Sequence, residues 1–446
     1  SPMSRGLGDV YKRQSLIMPK NFFEELKWRG LIQDSTPSID EELDKNSLIA
    51  YIGFDPTSDS LHIGSLVQLI ILKHFQEYGH KPILLIGGAT AMIGDPSGKS
   101  KERNLLDQNE ISENITQIKN QVAKFLDFKN SKNPALMLNN YDWISELNII
   151  DFFRDYGKSL TVNYMMSKES VKKRISPGQS EGMSFTEFTY QLFQAYDFYH
   201  LHKNYDCKIQ MGGSDQWGNI TSGIELIRKK TGQKSFALTC PLITKSDGSK
   251  FGKTEEGNVW LDRNKTSPYK FYQYWLNSSD KDSENYIKIF TMADKNYIDK
   301  LISDHRTKPH QRLLQKFIAN EITQMVHSKE DLENVIKASE IFFGKSNYKD
   351  LDEIPEDVFL EIFEDVPSVK ISKPDYDSIP NVEKFLQVTG FFKSNSDIRR
   401  SLSENSVMIN KERVNDDFDF KSISLIKKKY ILLQRGKKNY FLVNIN

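Results

Sequence analysis

The sequence predicts an α/β protein: a parallel sheet wrapped by helices, then an all-helical region, then a small α+β module. Three observations carry this. Apolar strand-like runs alternate with helical patterns through the first half. After Trp260-Leu-Asp262 the texture becomes charged and helical, with few strand signals. From Asn381 to Asn446 there are 13 Lys and Arg against 7 Asp and Glu, a surplus of six in a chain whose formal charge is +1.

The elements come in order. Residues 1–17 fit poorly with the rest of the chain and are expected to be a non-native extension, so they are left out of the fold. An amphipathic helix carrying Phe22, Phe23 and Leu26 is expected to start at Met18. Leu48–Phe54 reads as a buried strand bounded by Asp55-Pro56, and Leu61–Tyr78 places Leu66, Leu69, Ile70 and Phe75 at helical spacing. Pro82–Gly87 is the next strand, and Ala135–Leu138, Lys208–Met211 and Phe236–Ile243 are further strands. Helical patterns fill Ile111–Phe128, Phe185–His200 and Gln216–Lys230. Such alternation puts ligands at the carboxyl ends of the strands. The expected domains are 18–262, a helical domain 263–345, a linker 346–380 rich in Asp, Glu, Pro and Ser, and the basic module 381–446.

Composition narrows the class. A chain of 446 residues with 38% hydrophobic content is expected to form two to four globular domains. No apolar run approaches the length needed to span a bilayer. Cys207 and Cys240 are the only cysteines, which excludes a disulfide framework or a cysteine zinc cluster and fits a reducing compartment. A cytoplasmic location is expected, without a membrane or DNA partner and without a metal bound by protein side chains. The basic module suits a polyanion, although charge alone fits an ordinary solvated surface equally well.

Two segments carry chemistry. In Asp55-Pro-Thr-Ser-Asp-Ser-Leu-His-Ile-Gly-Ser65 a strand turns into a helix, so His62 and Thr57 sit beside free backbone N–H groups and the positive end of a helix dipole. In Thr244–Thr254, directly after the last strand, Lys245, Lys250 and Lys253 form a cationic loop that Gly248 and Gly252 allow to move. A lone histidine is more often structural and a lone lysine merely solvated. Together, the two segments could hold a triphosphate from both sides. Tyr190, Gln194 and Asp197 also fall at i, i+4 and i+7 of one helix, where a packing stripe would be apolar.

The pair of segments resembles the two signature motifs of class I aminoacyl-tRNA synthetases. Tyr51–Thr57, Gly87–Thr90, Ile93–Gly98, Val162–Met166, Gln194–Asp197 and Gly212–Asn219 narrow the likeness to the bacterial tyrosyl type, from about Phe22 to the C-terminus. The resemblance implies a Rossmann-like catalytic domain, tyrosine, ATP and tRNA(Tyr) as partners, Mg²⁺ carried with ATP, and a homodimer. It implies that Tyr51 and Asp197 hold the substrate phenol hydroxyl and that Asp95, Tyr190 and Gln194 hold its ammonium group, with Gly53 and Asp55 in the same pocket. For ATP it implies Thr57, His62, Gly64 and Ser65 at the phosphates, Gly213, Asp215 and Gln216 near the ribose and α-phosphate, and Lys250, Lys253 and Thr254 on the closing loop. Lys99 and Arg103 would form a second phosphate-contacting loop. Asp215 could otherwise serve only as the N-cap of the helix after it. The basic module resembles an S4-like RNA-binding fold, with Ser396 or Asp397 capping a helix and Arg399, Arg400, Lys411, Arg413, Lys437 and Lys438 meeting phosphates.

Two departures stand out. Ser65 occupies the position where the family usually has a second histidine; activity is expected to persist. The stretch Ser176–Gly182 is longer than the usual loop, and no function is assigned to it. Three other readings stay open at this point: an RNA-binding protein that has lost catalysis, a nucleotidyl transferase with another substrate, and a tryptophan-specific relative.

Overall fold

The computed structural model describes residues 21–97, 99, 106–129, 132–176, 182–254, 257–342, 347–364, 366–415, 417–436 and 439–446. The extension at 1–17, Arg103, Lys437, Lys438 and most of the Ser176–Gly182 stretch lie outside the described residues. Two compact units appear: residues to Thr266 with Tyr274–Val326, and Ser267–Gln273 with His327–Asn446. The domain boundaries expected at 262, 345 and 380 do not coincide with this division.

In the first unit, β1 (Asp34–Ser35), β2 (Ile49–Phe54), β3 (Lys81–Ile86), β4 (Leu136–Asn139), β5 (Cys207–Gly213) and β6 (Phe236–Cys240) form one sheet in the order β1-β6-β5-β2-β3-β4. All pairings are parallel except that of β1, which runs antiparallel to β6 and had no apolar signal in its two residues. The chain leaves β2 toward β3 and β4, then returns to β5 and β6 on the other side. That reversal opens a crevice at the strand carboxyl ends. Burial on both faces explains why β2, β3 and β6 read as unbroken apolar runs. Beyond β6, a short hairpin pairs β7 (Lys253–Thr254) with β8 (Gly257–Asn258).

The helix Ile63–Glu77 buries Leu66, Leu69, Ile70 and Phe75. Phe185–Tyr205, capped by the Ser184 hydroxyl, packs beside Trp217–Thr231. The expected start at Met18 is replaced by Phe22–Arg29, because Asn21 accepts from the Glu24 N–H and caps the helix there. Helices Asp280–Phe290, Lys295–Thr307 and Leu313–Val326 complete this unit. Buried Arg29 ties the first helix to them by donating to the carbonyls of Lys288, Thr291 and Ala293 at 2.6–2.8 Å. Among the described residues, no helix is long and apolar enough to cross a membrane.

The second unit holds β9 (Ser368–Ile371), β10 (Val407–Ile409), β11 (Glu412–Val414), β12 (Tyr430–Arg435) and β13 (Asn439–Ile445), in the order β11-β10-β12-β13-β9. Alternation along β12 sends Ile431 and Leu433 to one core, with Phe385 and Ile398, and Tyr430 and Leu432 to another, with Phe359 and Leu351. The described residues of 346–380, expected as a linker, therefore belong to the packed fold. Leu351, Ile354, Val358, Phe359 and Ile362 cover the second face of the sheet, and β9 pairs parallel with β13. Their acidic, proline-containing composition hid an apolar pattern. The helix Asn395–Ser403 is capped by Ser394, not by Ser396 or Asp397: the Ser394 hydroxyl accepts from the Asp397 N–H, while Asp397 itself pairs with Arg435.

Candidate active site

A cavity of about 680 Å³ opens in the first unit over the carboxyl ends of β2, β3, β5 and β6. Every expected amino-acid and nucleotide residue that is described lines it, with the exception of Thr254. The Thr254 hydroxyl instead donates to the Gly257 carbonyl across the β7–β8 hairpin.

At the deep end, Tyr51 on β2 is 1% exposed and Asp197 on the Phe185–Tyr205 helix 2%. The Tyr51 hydroxyl has no hydrogen-bond partner among the described residues. Burial, and then the charge of Asp197, push its phenol well above the ordinary value. Asp197 accepts from Asn140 Nδ2 at 2.9 Å and from Trp143 Nε1 at 2.8 Å. These bonds favour the carboxylate, but desolvation outweighs them and Asp197 is pushed up to about 7.

A second polar cluster lies around Asp95. Its carboxylate accepts from Gln216 Nε2 at 2.7 Å, Asn219 Nδ2 at 3.3 Å and the Ser97 N–H at 3.0 Å. Gln194 joins by donating to Gln216 at 3.3 Å and accepting from Asn219 at 3.1 Å. Gln216, expected near the ribose and α-phosphate, lines the cavity and donates to Asp95 from the turn Ser214–Gln216. The hydroxyl of Tyr190 donates at 2.7 Å to Asp55, not to Asp95, and Thr90 Oγ1 donates to the other Asp55 oxygen at 2.7 Å.

On the opposite wall, His62 is the N-cap of the Ile63–Glu77 helix, and its Nδ1 accepts from the Gly64 N–H at 3.0 Å. That bond leaves the ring hydrogen on Nε2. Desolvation by the surrounding protein, then the charges of Lys99 and Lys253, lower the imidazolium below its ordinary value. His62 is therefore a neutral donor with two ammonium groups close by. Thr57 is exposed at the cavity wall, its N–H donating to the Asp55 carbonyl. Asp215, raised by desolvation and by Asp95, caps no helix: the Trp217–Thr231 helix has no side-chain cap.

The two signature segments are joined through Val259, Trp260 and Leu261. His62 bridges to Trp260, the Ile63 N–H donates to the Val259 carbonyl and the Leu261 N–H to the Leu61 carbonyl. The Gly252 carbonyl in turn accepts from the Val259 N–H. The cationic loop, expected to move freely, is anchored between its lysines. Phe251 packs among Trp275, Tyr286 and Phe290, and the Gly252 N–H donates to the Tyr274 hydroxyl at 3.2 Å. Gly252 sits at φ +79°, which a side chain there would resist.

In the second unit the expected phosphate contacts are largely engaged. Arg399 pairs with Glu383 at 2.7 Å and Arg400 with Asp397 at 2.9 Å. Lys411 donates to the Tyr440 hydroxyl at 2.8 Å and lies over its ring, and burial lowers its ammonium to about 8. It occupies a two-residue hairpin turn with Asn410, both at positive φ. Arg413 is exposed on β11.

Asn140, Trp143, Asn219 and Phe251 were missed from sequence. Asn140 and Trp143 directly follow a strand carboxyl end, and Asn219 lies one helical turn beyond Gln216; these positions were the available signals. Phe251 had none.

The family described as class I tRNA synthetases (W and Y) matches residues 43–344, and the tyrosine–tRNA ligase SYY-like C-terminal domain matches 359–443. The tyrosine–tRNA ligase of Flavobacterium johnsoniae is 58% identical over 430 residues, which is 96% of this chain and 100% of the relative. That of Bacteroides fragilis is 54% identical over 427 residues, 95% and 99% of the two chains. The solved structure of a C-terminally truncated mitochondrial tyrosyl-tRNA synthetase from Aspergillus nidulans has a TM-score of 0.65 at 29% identity, covering 72% of this chain and 94% of that one.

Proposed function

The chain belongs to the tyrosine–tRNA ligases of class I, and from that premise we propose how its residues divide the work of joining tyrosine to tRNA with ATP. Tyr51 and Asp197 hold the phenol hydroxyl. The Tyr51 hydroxyl donates to the phenol oxygen, and the Asp197 carboxylate accepts the phenol O–H. Asp95, Tyr190 and Gln194 hold the ammonium group, Asp95 and Gln194 braced by Gln216 and Asn219 and Tyr190 by Asp55; Gly53 leaves its strand end open to the substrate. A carboxylate at the deep end suits a phenol better than an indole. Phenylalanine would leave two buried polar groups without a partner. The rejection known for this enzyme type, about 10⁵-fold, reflects that cost.

Tyrosine then attacks the α-phosphorus with its carboxylate, the bond to the bridging oxygen breaks, and pyrophosphate leaves. The His62 Nε2–H, the Thr57 hydroxyl, Lys250 and Lys253 neutralise the charge that grows on the phosphate oxygens. Gly64 and Ser65 line the phosphate side, Lys99 adds charge from a second loop, and Gly213 and Asp215 flank the ribose. Magnesium supplies further charge neutralisation when it arrives on the nucleotide. Lys250, Lys253 and the His62 imidazole would hold the phosphates of a nucleotide that carries magnesium, and as donors they do not suit a bare cation. In the second step, the activated tyrosine passes to the 3′ end of tRNA(Tyr).

Residues 18–262 form the catalytic domain in this reading, the helical stretch to 345 meets the anticodon arm, and the C-terminal module binds RNA through Arg413 and neighbouring cations. Exposed Ile149, Ile150, Phe153 and Phe185 support a homodimer. Free, buried Cys207 and Cys240 support a cytoplasmic setting.

One observation carries the mechanism: His62 lies within electrostatic reach of Lys99 and Lys253 in the cavity that also holds Asp197 and Asp95. Tyrosine-dependent ATP–pyrophosphate exchange tests it. Exchange with tyrosine and not with phenylalanine is expected; no exchange by folded protein would sink the reading.

A further inference from the structure

A continuous run of hydrogen bonds crosses the floor of the pocket, part-buried at Asp55 and buried from Thr90 to Trp143. Tyr190 donates to Asp55 Oδ2 and Thr90 to Asp55 Oδ1, both at 2.7 Å. Asn140 Nδ2 donates to Thr90 Oγ1 at 3.0 Å and to Asp197 Oδ2 at 2.9 Å. Trp143 Nε1 closes the run on Asp197 Oδ1 at 2.8 Å. Asn140 is 0% exposed, and Thr90 and Asp197 are each 2% exposed. From these links we infer that Thr90 is a positioning residue that couples the phenol-reading end of the pocket to Asp55, which opens the first signature segment.

The chemistry of the middle link makes position 90 special. Asp55 can only accept, and the Asn140 amide nitrogen can only donate. A group between them must accept from one side and donate to the other, which a hydroxyl does and an apolar side chain of the same shape does not. The direction of the Asn140 amide is fixed independently: its Oδ1 accepts from the Ala89 N–H at 2.8 Å, so both Nδ2 hydrogens face Thr90 and Asp197. Gly87 makes room for the junction, since a methyl group there would collide with both Asp55 Oδ1 and Thr90 Oγ1. Asp197 and Asp55 repel each other, and the intervening donors hold both in register. A phenol hydroxyl accepted by Asp197 is thereby felt at Asp55 and Tyr190.

This rests on the assignment of Asp197 to the phenol and adds a residue that touches the phenol only through others. The test compares kcat/KM for tyrosine and phenylalanine in wild type, Thr90→Val and Thr90→Ser, with Tyr190→Phe made in each background. Thr90→Val is expected to lower the preference for tyrosine about tenfold, the scale of one buried bond left unmade. The phenylalanine value should move less than about threefold on the same reasoning. Thr90→Ser should restore the preference, and Tyr190→Phe should alter it only where a hydroxyl occupies position 90. Equal losses for both amino acids, or no rescue by serine, would mean that Thr90 serves packing alone and would overturn the coupling. Should Thr90→Val fail to fold by circular dichroism, Thr90→Ala carries the same comparison. A wild-type enzyme without preference for tyrosine would instead sink the pocket assignment itself.

Discussion

Phe251 lies face to face with Phe290, ring centroids 5.3 Å apart and planes within 17°. Phe251 lies between Lys250 and Lys253 in the chain, and all three line the cavity, so the stack holds the backbone from which both lysines project. Phe251→Ala is expected to slow tyrosyl-adenylate formation roughly 10- to 100-fold through misplaced charge, while the tyrosine Kd stays within about twofold. Stopped-flow activation and equilibrium binding separate the two effects. A larger change in Kd than in rate would contradict the anchoring role.

His62 does two jobs with two nitrogens. Nδ1 caps a helix by accepting from Gly64, and in the proposed mechanism Nε2 donates to the phosphates. Asparagine keeps an acceptor for the cap but lacks the second donor. His62→Asn is therefore expected to keep the wild-type melting temperature while activation falls about 100-fold. His62→Ala should lose the same rate and, in addition, about 1 kcal/mol of stability. Thermal melts paired with exchange rates decide this, and equal stability losses for both variants would count against the cap.

Asp197, pushed up to about 7 in the free protein, gives a pH signature. The ionised form is the stronger acceptor for the phenol hydroxyl, so tyrosine affinity should weaken by up to about tenfold between pH 8 and pH 6. Phenylalanine affinity should stay flat. The sign for folding is opposite. The folded group holds a proton between 3.8 and about 7 that the unfolded group has lost, so its contribution to stability is full at low pH and is lost as pH rises through about 7. Calorimetric titration of both amino acids at the two pH values checks the binding half.

The basic module separates its cations by engagement. Arg413→Gln is expected to lower the salt slope of tRNA binding by about one, whereas Lys411→Met, which keeps the stem packed on Tyr440, should leave the slope unchanged. Filter binding across a salt series measures both. An equal fall for the two variants would place Lys411 on the RNA.

The parallel sheet was legible because β2, β3 and β6 are buried on both faces, which leaves unbroken apolar runs. Tyr190, Gln194 and Asp197 were legible because polar groups on a helix face turned toward a core demand an explanation. The features that escaped notice depended on partners far along the chain. Asn140 matters because Thr90, 50 positions away, and Asp197, 57 positions away, accept from it, and the partner of Gln216, Asp95, lies 121 positions away. β1 has two residues and exists only as an edge on β6. The acidic stretch 346–380 looked like a linker because charge and proline are read before a short apolar period such as Leu351, Ile354, Val358 and Phe359.

The convergence of the imidazole and the lysine loop on one nucleotide is tested most directly by Lys253→Ala in single-turnover activation. The expected result is a rate lower by about 100-fold with the tyrosine Kd within about twofold of wild type. Equal losses in rate and in tyrosine binding would place Lys253 in general support of the fold and contradict the shared site.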